Sequence, residues 1–460
     1  MHRDPDRLLP HDPARRTIAR DLYERTATLP ILSPHGHVEA RALVENRAFA
    51  DPTALLITGD HYLTRLLHSR GVPFEQLLLP ADANETARRR AWAALCENWH
   101  ALAGTVVRFW LEEQLSGLFG IDEAPTAQLF DSLSATLAEP GFRPQALLRR
   151  FGVEVLATTD DPADSLEFHR ELQGGGLRVI PTLRADAYMD VLRPDWSARL
   201  ARLAAAADTP TDSYAGLLHA LRQRRSDFRD AGGTSTDTGV LEAWSEPLDA
   251  GEAERIHAAA LRGEATESDR DAYRANLLYR FAELSAEDGM VMQLHPGVHR
   301  NTHAPTLARF GPDTGHDLPA RTSFIEPLAP ILRDFGTHPN FHTVLFTVDE
   351  SAFSRELAPL AGFYPSVRVG APWWFLDSPD AMMRARQAIT EQIGFARTSG
   401  FVDDTRALCS IPTRHDTARR VDAAFLADQV ATGRIPLHEA EQIAVELVTS
   451  IPREAFGLGQ

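Results

Sequence analysis

Two histidines separated by one residue are the first feature of the sequence that could do chemistry. His35 and His37 form a His-Gly-His triplet at the end of the apolar run 29–37. Side chains two residues apart on a strand project to the same side, so both imidazoles can offer a nitrogen to one metal ion. Among 18 histidines a surface pair is the alternative, but the position at the end of a buried run favours a metal site.

An acidic pair and an arginine follow an apolar run near the other end of the chain. The run 400–406 ends in Asp403, Asp404 and Arg406. If this run is the last strand of a closed barrel, it lies beside the first strand, and Asp404 completes a His35, His37 and Asp404 set around one divalent cation. The alternative is that the two aspartates cap the following helix. Arg406 would lower the pKa of neighbouring acids or hold a substrate oxyanion.

A phenol stands next to an imidazole in the segment Gly59-Asp60-His61-Tyr62, which Arg65 follows. Positive charge favours the phenolate, so a tyrosine beside an arginine can act as a base. His-Tyr pairs are common, and this pair alone does not decide between a catalytic and a structural role.

Arginine, histidine and tryptophan side chains end other apolar runs. Arg184 closes one run, His295 closes another with Arg300 in the loop after it, and Trp373 and Trp374 close a third. Arginine pairs with carboxylates in a bidentate way, which indicates a small acidic substrate. The tryptophans would pack against the apolar face of a sugar, or plug the mouth of a barrel. Each single arginine could instead form a surface ion pair.

Composition excludes several reaction classes. The chain has 460 residues, a net charge of −17 and 47 basic residues, all of them arginine, because lysine is absent. Without lysine there is no Schiff-base or pyridoxal-phosphate chemistry, no Walker-type ATPase and no bimetal centre bridged by a carbamylated lysine. The negative charge argues against a nucleic-acid partner.

Short apolar runs with polar ends alternate with helical patterns along the chain. Near-continuous apolar runs are typical of strands buried on both faces of a parallel sheet. The runs are 29–37, 153–161, 177–184, 290–295, 343–350, 367–374 and 400–406, with 54–62 as a further strand or a helix end. This pattern predicts one α/β domain over residues 1–460, a (β/α)8 TIM-type barrel whose chemistry lies at the carboxyl ends of the strands. We expect helical insertions at about 85–150 and 190–285, and loops at 207–213 and 231–239. A doubly wound sheet would place a Gly-rich turn after its first strand, and none is present.

Compartment and membrane association follow from simple features. Cys96 and Cys409 are too few for a disulfide framework, which suits a reducing cytoplasm. No stretch approaches the 18 apolar residues of a membrane span, and the first residues lack the apolar run of a signal peptide. We expect a cytoplasmic protein without a membrane partner.

The order of these segments resembles that of uronate (glucuronate) isomerases, an isomerase branch of the amidohydrolase superfamily. The resemblance runs from about residue 25 to residue 445, and its strength lies in eight segments in the same order. The segments are His35-Gly-His37, GDHYLTR (59–65), TTDDPADSLEFH (158–169), TLRAD (182–186), MQLHPGVHRN (292–301), GPDTG (311–315), GAPWWFLD (370–377) and DDTRALCSIPTRH (403–415).

The resemblance implies a distorted (β/α)8 barrel that interconverts D-glucuronate with D-fructuronate, and D-galacturonate with D-tagaturonate. It also implies one divalent metal ion, for which the ligands favour zinc with manganese as the alternative, and a homo-oligomer. The implied roles are metal binding by His35, His37 and Asp404, catalysis by Tyr62, His61, Asp404 and Arg406, and substrate binding by Arg184, His295, Arg300, Trp373 and Trp374.

The expected mechanism is an aldose–ketose isomerisation through a cis-enediol. Asp404 would assist ring opening and shuttle protons among hydroxyls. Tyr62, with its pKa lowered by Arg406, would move the proton from C2 to C1, while Arg184 holds the C6 carboxylate. One departure from the family pattern is Thr238 in place of a common histidine, which bears on substrate preference. The rival functions are a mononuclear metal-dependent hydrolase and a sugar-acid binding protein without activity.

Overall fold

Parallel strands and many helices make up the chain, described here over residues 4–459 of a computed structural model. Most strands are short because polar residues at their ends turn into loops. In chain order they are β1 (Ile31–Ser33), β2 (Val153–Ala157), β3 (Arg178–Ile180), β4 (Leu183–Arg184), β5 (Ser235–Thr238), β6 (Val291–Leu294), β7 (Val298–His299), β8 (Leu318–Pro319), β9 (Thr343–Leu345) and β10 (Val367–Val369).

The strands follow one another in the order of a barrel. One sheet has the order β1-β2-β3 and a second has the order β10-β9-β6-β5-β4, with every pair in both sheets parallel. A single bridge from Asp160 to Leu183 joins β2 to β4, and another from Val369 to Thr398 extends the second sheet. The His37 amide donates to the Thr405 carbonyl at 3.0 Å, which brings the segment after Thr398 back to β1. The predicted α/β barrel is confirmed as a distorted one, with its ladder interrupted at these single bridges.

Helices cover the outside of the strands and form the predicted insertions. They are α1 (Pro13–Thr26), α2 (Ala40–Glu45), α3 (Pro52–Leu56), α4 (His61–Ser69), α5 (Phe74–Leu77), α6 (Glu85–Asn98), α7 (Val106–Phe119), α8 (Leu129–Leu137), α9 (Pro144–Arg150), α10 (Glu167–Leu172), α11 (Asp186–Met189), α12 (Trp196–Ala207), α13 (Tyr214–Asp230), α14 (Ala250–Leu261), α15 (Glu267–Asp288), α16 (Ala304–Phe310), α17 (Ile325–Phe335), α18 (Ala358–Phe363), α19 (Pro379–Ile393), α20 (Ile411–Ala431), α21 (Leu437–Val448) and α22 (Ser450–Ala455). Short 3₁₀ turns at Trp99–Leu102, Pro140–Phe142, Trp374–Leu376 and Leu408–Ser410 and a π turn at Phe353–Leu357 complete the helical structure.

Three sequence expectations about elements need correction. The segment 231–239 is not all loop, because β5 lies within it, fully buried between β4 and β6. Its Ser and Thr residues gave a loop pattern, yet β-branched threonine suits a strand whose neighbours supply the hydrogen bonds. The helix-rich segment 190–285 therefore holds two crossover connections, one before β5 and one after it. The predicted last strand, 400–406, runs as extended loop without a ladder, whereas the run 54–62 takes the helical alternative at both ends.

Apolar clusters fix the ends of the strands and the insertions around them. One cluster lies inside the barrel and includes Leu32, Val155, Phe346 and Val402. A second fills the space under the first insertion, where Trp110 of α7 is buried. The insertion thus packs directly behind the barrel mouth. Within residues 4–459, no helix has both the length and the apolar character that crossing a membrane requires.

Candidate active site

All the residues to which the sequence analysis gave a metal-binding, catalytic or substrate-binding role line one cleft. The cleft has a volume of about 570 Å³ and opens to solvent at the carboxyl ends of the strands. Its predicted members are His35, His37, His61, Tyr62, Arg184, His295, Arg300, Trp373, Trp374, Asp404 and Arg406. The barrel topology therefore brings together side chains that lie up to several hundred residues apart in sequence.

Two histidines and an aspartate meet at the inner end of the cleft. Nε2 of His35 lies 3.3 Å and Nε2 of His37 lies 2.9 Å from Oδ1 of Asp404. The Asp404 backbone has φ of 39°, a left-handed conformation that is strained for aspartate and aims its carboxylate between the imidazoles. Apart from these imidazole contacts, buried Oδ1 of Asp404 makes no hydrogen bond to a described residue. Two nitrogens and one carboxylate oxygen that converge in this way fit the ligand set of a divalent metal ion.

The charges of this group are tightly linked. Burial alone would raise the pKa of Asp404, but His35 and His37 hold it well below its ordinary value. Burial lowers the pKa of His35, and the carboxylates Asp237 and Asp404 outweigh that effect and raise it. Asp404 is thus an anion throughout the neutral range, as a metal ligand must be.

A second buried chain of charges runs behind the histidines. Asp237, on β5, accepts from Nδ1 of His295 at 2.6 Å and forms an ion pair with Nη1 of Arg184 at 3.0 Å. Burial would raise the pKa of Asp237, yet Arg184, His295 and His35 lower it below its ordinary value. Because the carboxylate is ionised, Nδ1 of His295 carries the proton and its buried Nε2 is left as an acceptor. Asp237 therefore orients His295.

Arg184 is more heavily engaged than the sequence indicated. Its Nε donates to Asp186 at 2.7 Å, while Nη1 faces Asp237. The amide of Gly239 donates to the same Asp186 carboxylate at 3.0 Å. Arg184 lines the cleft, but two carboxylates already balance its charge.

Tyr62 and His61 begin helix α4, and Asp60 caps that helix. Oδ1 of Asp60 accepts from the amides of Tyr62 at 2.9 Å and Leu63 at 3.2 Å, which fixes the first turn. The His61 and Tyr62 rings stack with centroids 4.7 Å apart. Burial lowers the pKa of His61 to about 3, so that ring is neutral.

The expectation that Arg406 lowers the pKa of Tyr62 is wrong. Burial raises the pKa of Tyr62 above its ordinary value, and the cation that opposes burial is Arg414 of α20. The Arg414 guanidinium carbon lies 4.8 Å from the Tyr62 ring centroid. Arg406 instead lies 3.4 Å from Oδ2 of Asp313. The sequence did not show which of the two arginines contacts the phenol, because Arg406 and Arg414 both lie in the segment 403–415.

Asp313 links two arginines at the outer wall of the cleft. Its Oδ1 lies 3.7 Å from Arg300 and its Oδ2 lies 3.4 Å from Arg406. Both contacts are long for ion pairs, and both arginine side chains are 39% exposed. The Arg300 guanidinium also lies 4.5 Å from the Trp374 ring centroid. Arg300 also lies 3.6 Å from Oδ2 of Asp317, and both guanidinium groups line the cleft.

Sequence reasoning did not select Asp237, Asp313 or Arg414 as site residues. The signals were present: Asp237 adjoins the Thr238 departure, and the other two lie inside the quoted segments 311–315 and 403–415. Their partners come from other strands and helices, however, so only the topology identifies them.

The fold and the cleft define a class of protein: an enzyme built on a β/α barrel with its polar groups at the carboxyl ends of the strands. A family model described as glucuronate isomerase matches residues 13–454. The chain is 47% identical to the uronate isomerase of Corynebacterium efficiens, over 99% of this chain and 98% of that one. The glucuronate isomerase structure from Caulobacter crescentus superposes with a TM-score of 0.96 and 42% identity, over 100% of this chain and 97% of that chain. The uronate isomerase structure from Thermotoga maritima gives 0.92 and 28%, over 99% and 100%.

The chain belongs to the glucuronate isomerase family. The predicted isomerase is thereby confirmed, and it is favoured over the hydrolase alternative.

Proposed function

We propose that the enzyme interconverts D-glucuronate with D-fructuronate and D-galacturonate with D-tagaturonate by proton transfer between C2 and C1. One observation carries the proposal: a single cleft holds a phenol, a His-His-Asp group and exposed arginines. A sugar acid needs these three features, namely a proton carrier for carbon, polar groups for its hydroxyls and a cation for its carboxylate.

The C6 carboxylate of the substrate would be held by arginine. Arg184 is the anchor that the sequence predicted, and it lines the cleft. Its charge is already shared with Asp186 and Asp237. Arg406 and Arg300, which meet Asp313 at 3.4 Å and 3.7 Å, are therefore included in the proposed anchor.

Proton transfer starts from the open-chain aldehyde. Tyr62 rests as the phenol, since burial raises its pKa, and it reacts through the phenolate. The phenolate takes the proton from C2, the C2–H electron pair forms the C1=C2 bond of a cis-enediol, and O1 gains a proton. The O2 proton then leaves as the C2 carbonyl forms, and Tyr62 returns its proton to C1. Asp404 would carry the proton between O2 and O1 and assist ring opening. The number of protons is the same before and after, as an isomerisation requires.

A divalent metal ion fits the group formed by His35, His37 and Asp404. When bound, such an ion supplies a Lewis acid that polarises a substrate oxygen. We assign zinc to the site from its nitrogen and carboxylate ligands, with manganese as the alternative.

The cellular location and the oligomeric state are also part of the proposal. Cys96 and Cys409 are free thiols, which suits the cytoplasm. We retain the prediction of one domain over residues 1–460 that associates into a homo-oligomer, which light scattering would measure.

Proton NMR of D-glucuronate with the purified protein tests the function. New ketose resonances with no other reactant are expected, and this outcome separates isomerisation from hydrolysis because the substrate has no hydrolysable bond. Repeating the measurement with a chelator tests whether the metal contributes to turnover. Binding of glucuronate without ketose would mark a silent sugar-acid binding protein and overturn the proposal.

A further inference from the structure

Tyr62 is packed against Arg414, which also lines the cleft, and against Trp110. The Arg414 guanidinium carbon lies 4.8 Å from the Tyr62 ring centroid and 4.0 Å from that of Trp110. The Tyr62 and Trp110 rings meet edge to face at 5.7 Å. Trp110 comes from α7 of the first insertion and Arg414 from the first turns of α20. Three separate elements thus meet at the phenol.

Arg414 is held rigidly. It is 1% exposed, and its Nη1 donates to Oδ2 of Asp377 at 2.8 Å and to the Asp403 carbonyl at 3.1 Å. A buried guanidinium with a carboxylate on one side and two aromatic faces on the other has one available orientation. Asp377 is 3% exposed and fixes that orientation.

Burying a cation costs desolvation free energy, and the attraction to its carboxylate partner offsets that cost only in part. A well-packed apolar group would often stabilise the fold as well, so the buried pair of Arg414 and Asp377 suggests a role other than stability. The structure offers such a role: burial raises the pKa of Tyr62, Asp377 and Asp404 raise it further, and Arg414 acts in the opposite direction. Arg414 is the cation that faces the phenol.

We propose that Arg414, held by Asp377, is a positioning residue that fixes the Tyr62 ring and stabilises its negative charge during proton transfer at C2. This proposal rests on the proposed function, in which Tyr62 carries that proton. Arg414 acts through Tyr62 and takes no proton itself. Its removal should therefore slow the chemical step and leave substrate binding largely intact.

The test compares Arg414→Met, Arg414→Lys and Asp377→Asn with the parent enzyme. Misplacing a reacting group by about 1 Å costs about 100-fold in rate, so Arg414→Met should lower kcat by about that factor. Arg414→Lys keeps the charge but loses the fork, and we expect it to recover about tenfold of that loss. Affinity for D-glucarate, an aldaric acid that cannot isomerise, should change by less than about threefold in calorimetry.

Arg225→Met is the matched control. Arg225 is 2% exposed and pairs with Asp288 at 2.6 Å, away from the cleft. This variant should lose stability to a similar degree and keep its kcat. If Arg414→Met does not fold, Arg414→Lys and Asp377→Asn decide, since each should still lower kcat without weakening glucarate binding.

The outcomes separate this proposal from the proposed function. Full turnover by Tyr62→Phe overturns the proposed function and the positioning role with it. The positioning role alone is overturned if Tyr62→Phe is inactive while Arg414→Lys and Asp377→Asn keep the parental kcat. Glucarate binding that falls as far as kcat in the Arg414 variants also overturns it, because the residue would then act on the substrate.

Discussion

Replacing Asp237 with asparagine should weaken both the fold and the reaction. The Asp237 side chain is fully buried between Arg184 at 3.0 Å and His295 at 2.6 Å. At an effective dielectric constant of about 20, one unit charge facing another at 3 Å is worth about 5 kcal/mol. Breaking a buried pair costs about 3–5 kcal/mol of unfolding free energy. Arg184 keeps its contact with Asp186, so we expect about 3 kcal/mol, the lower end of that range.

The effect on turnover has a separate cause. Asp237 accepts the Nδ1 proton of His295 and so leaves Nε2 as the acceptor. An asparagine can turn its amide NH₂ group toward Nδ1, which moves the ring proton to Nε2, the wrong tautomer for accepting a hydrogen bond from substrate. We therefore expect kcat/KM to fall beyond what the loss of stability explains at a temperature where the variant is folded.

Urea unfolding and initial rates of ketose formation measure the two effects. Asp288→Asn is the control, because it breaks the half-buried pair with Arg225 outside the cleft and should lower stability while kcat/KM is unchanged. An Asp237→Asn variant that unfolds within about 1 kcal/mol of the parent would refute the electrostatic reasoning. Parental kcat/KM in the folded variant would refute the tautomer argument.

Three further predictions concern pH, anchoring and metal. Burial raises the pKa of Asp160 from 3.8 to about 7, so the folded state keeps a proton that the unfolded state loses, and the stability of the parent falls as pH rises from about 4 to about 7. In urea unfolding, the stability of Asp160→Asn relative to the parent should therefore increase by about 2–4 kcal/mol between pH 4 and pH 8. An equal difference at both pH values would contradict this. Arg184→Met should raise the dissociation constant for glucarate in calorimetry more than it lowers kcat, and tight binding by the variant would remove Arg184 as an anchor. The purified parent should carry a single divalent ion by elemental analysis and His37→Ala should lose it, whereas equal metal content would move the ion elsewhere.

The strand pattern and the metal group were predictable from sequence because both depend on local spacing. His35 and His37 lie at the end of β1, where a period of two directs both side chains to one side. Asp404 followed from barrel closure, a rule of topology that needs only strand order. β5 was missed because its residues, Ser235–Thr238, are polar although buried. An apolar pattern cannot reveal a strand whose buried side chains are polar.

The spacing of residues in the sequence could not predict which groups the arginines contact. Arg414 faces Tyr62 across more than three hundred residues of sequence, and Asp313 connects Arg300 to Arg406 through a loop. Whether an arginine contacts a phenol or a carboxylate depends on how its helix is rotated and which path its loop takes. A shift of one residue along the chain changes both. The sequence therefore indicated which residue types carry the chemistry, and the structure determined which of them act on one another.

Turnover by Tyr62→Phe measures the central claim most directly. The substitution keeps the ring between His61 and Trp110 and removes only the hydroxyl that would carry the C2 proton. Followed by proton NMR with D-glucuronate, ketose formation should fall by about 100- to 10,000-fold while glucarate affinity is retained. Ketose formation at the parental rate would contradict the account.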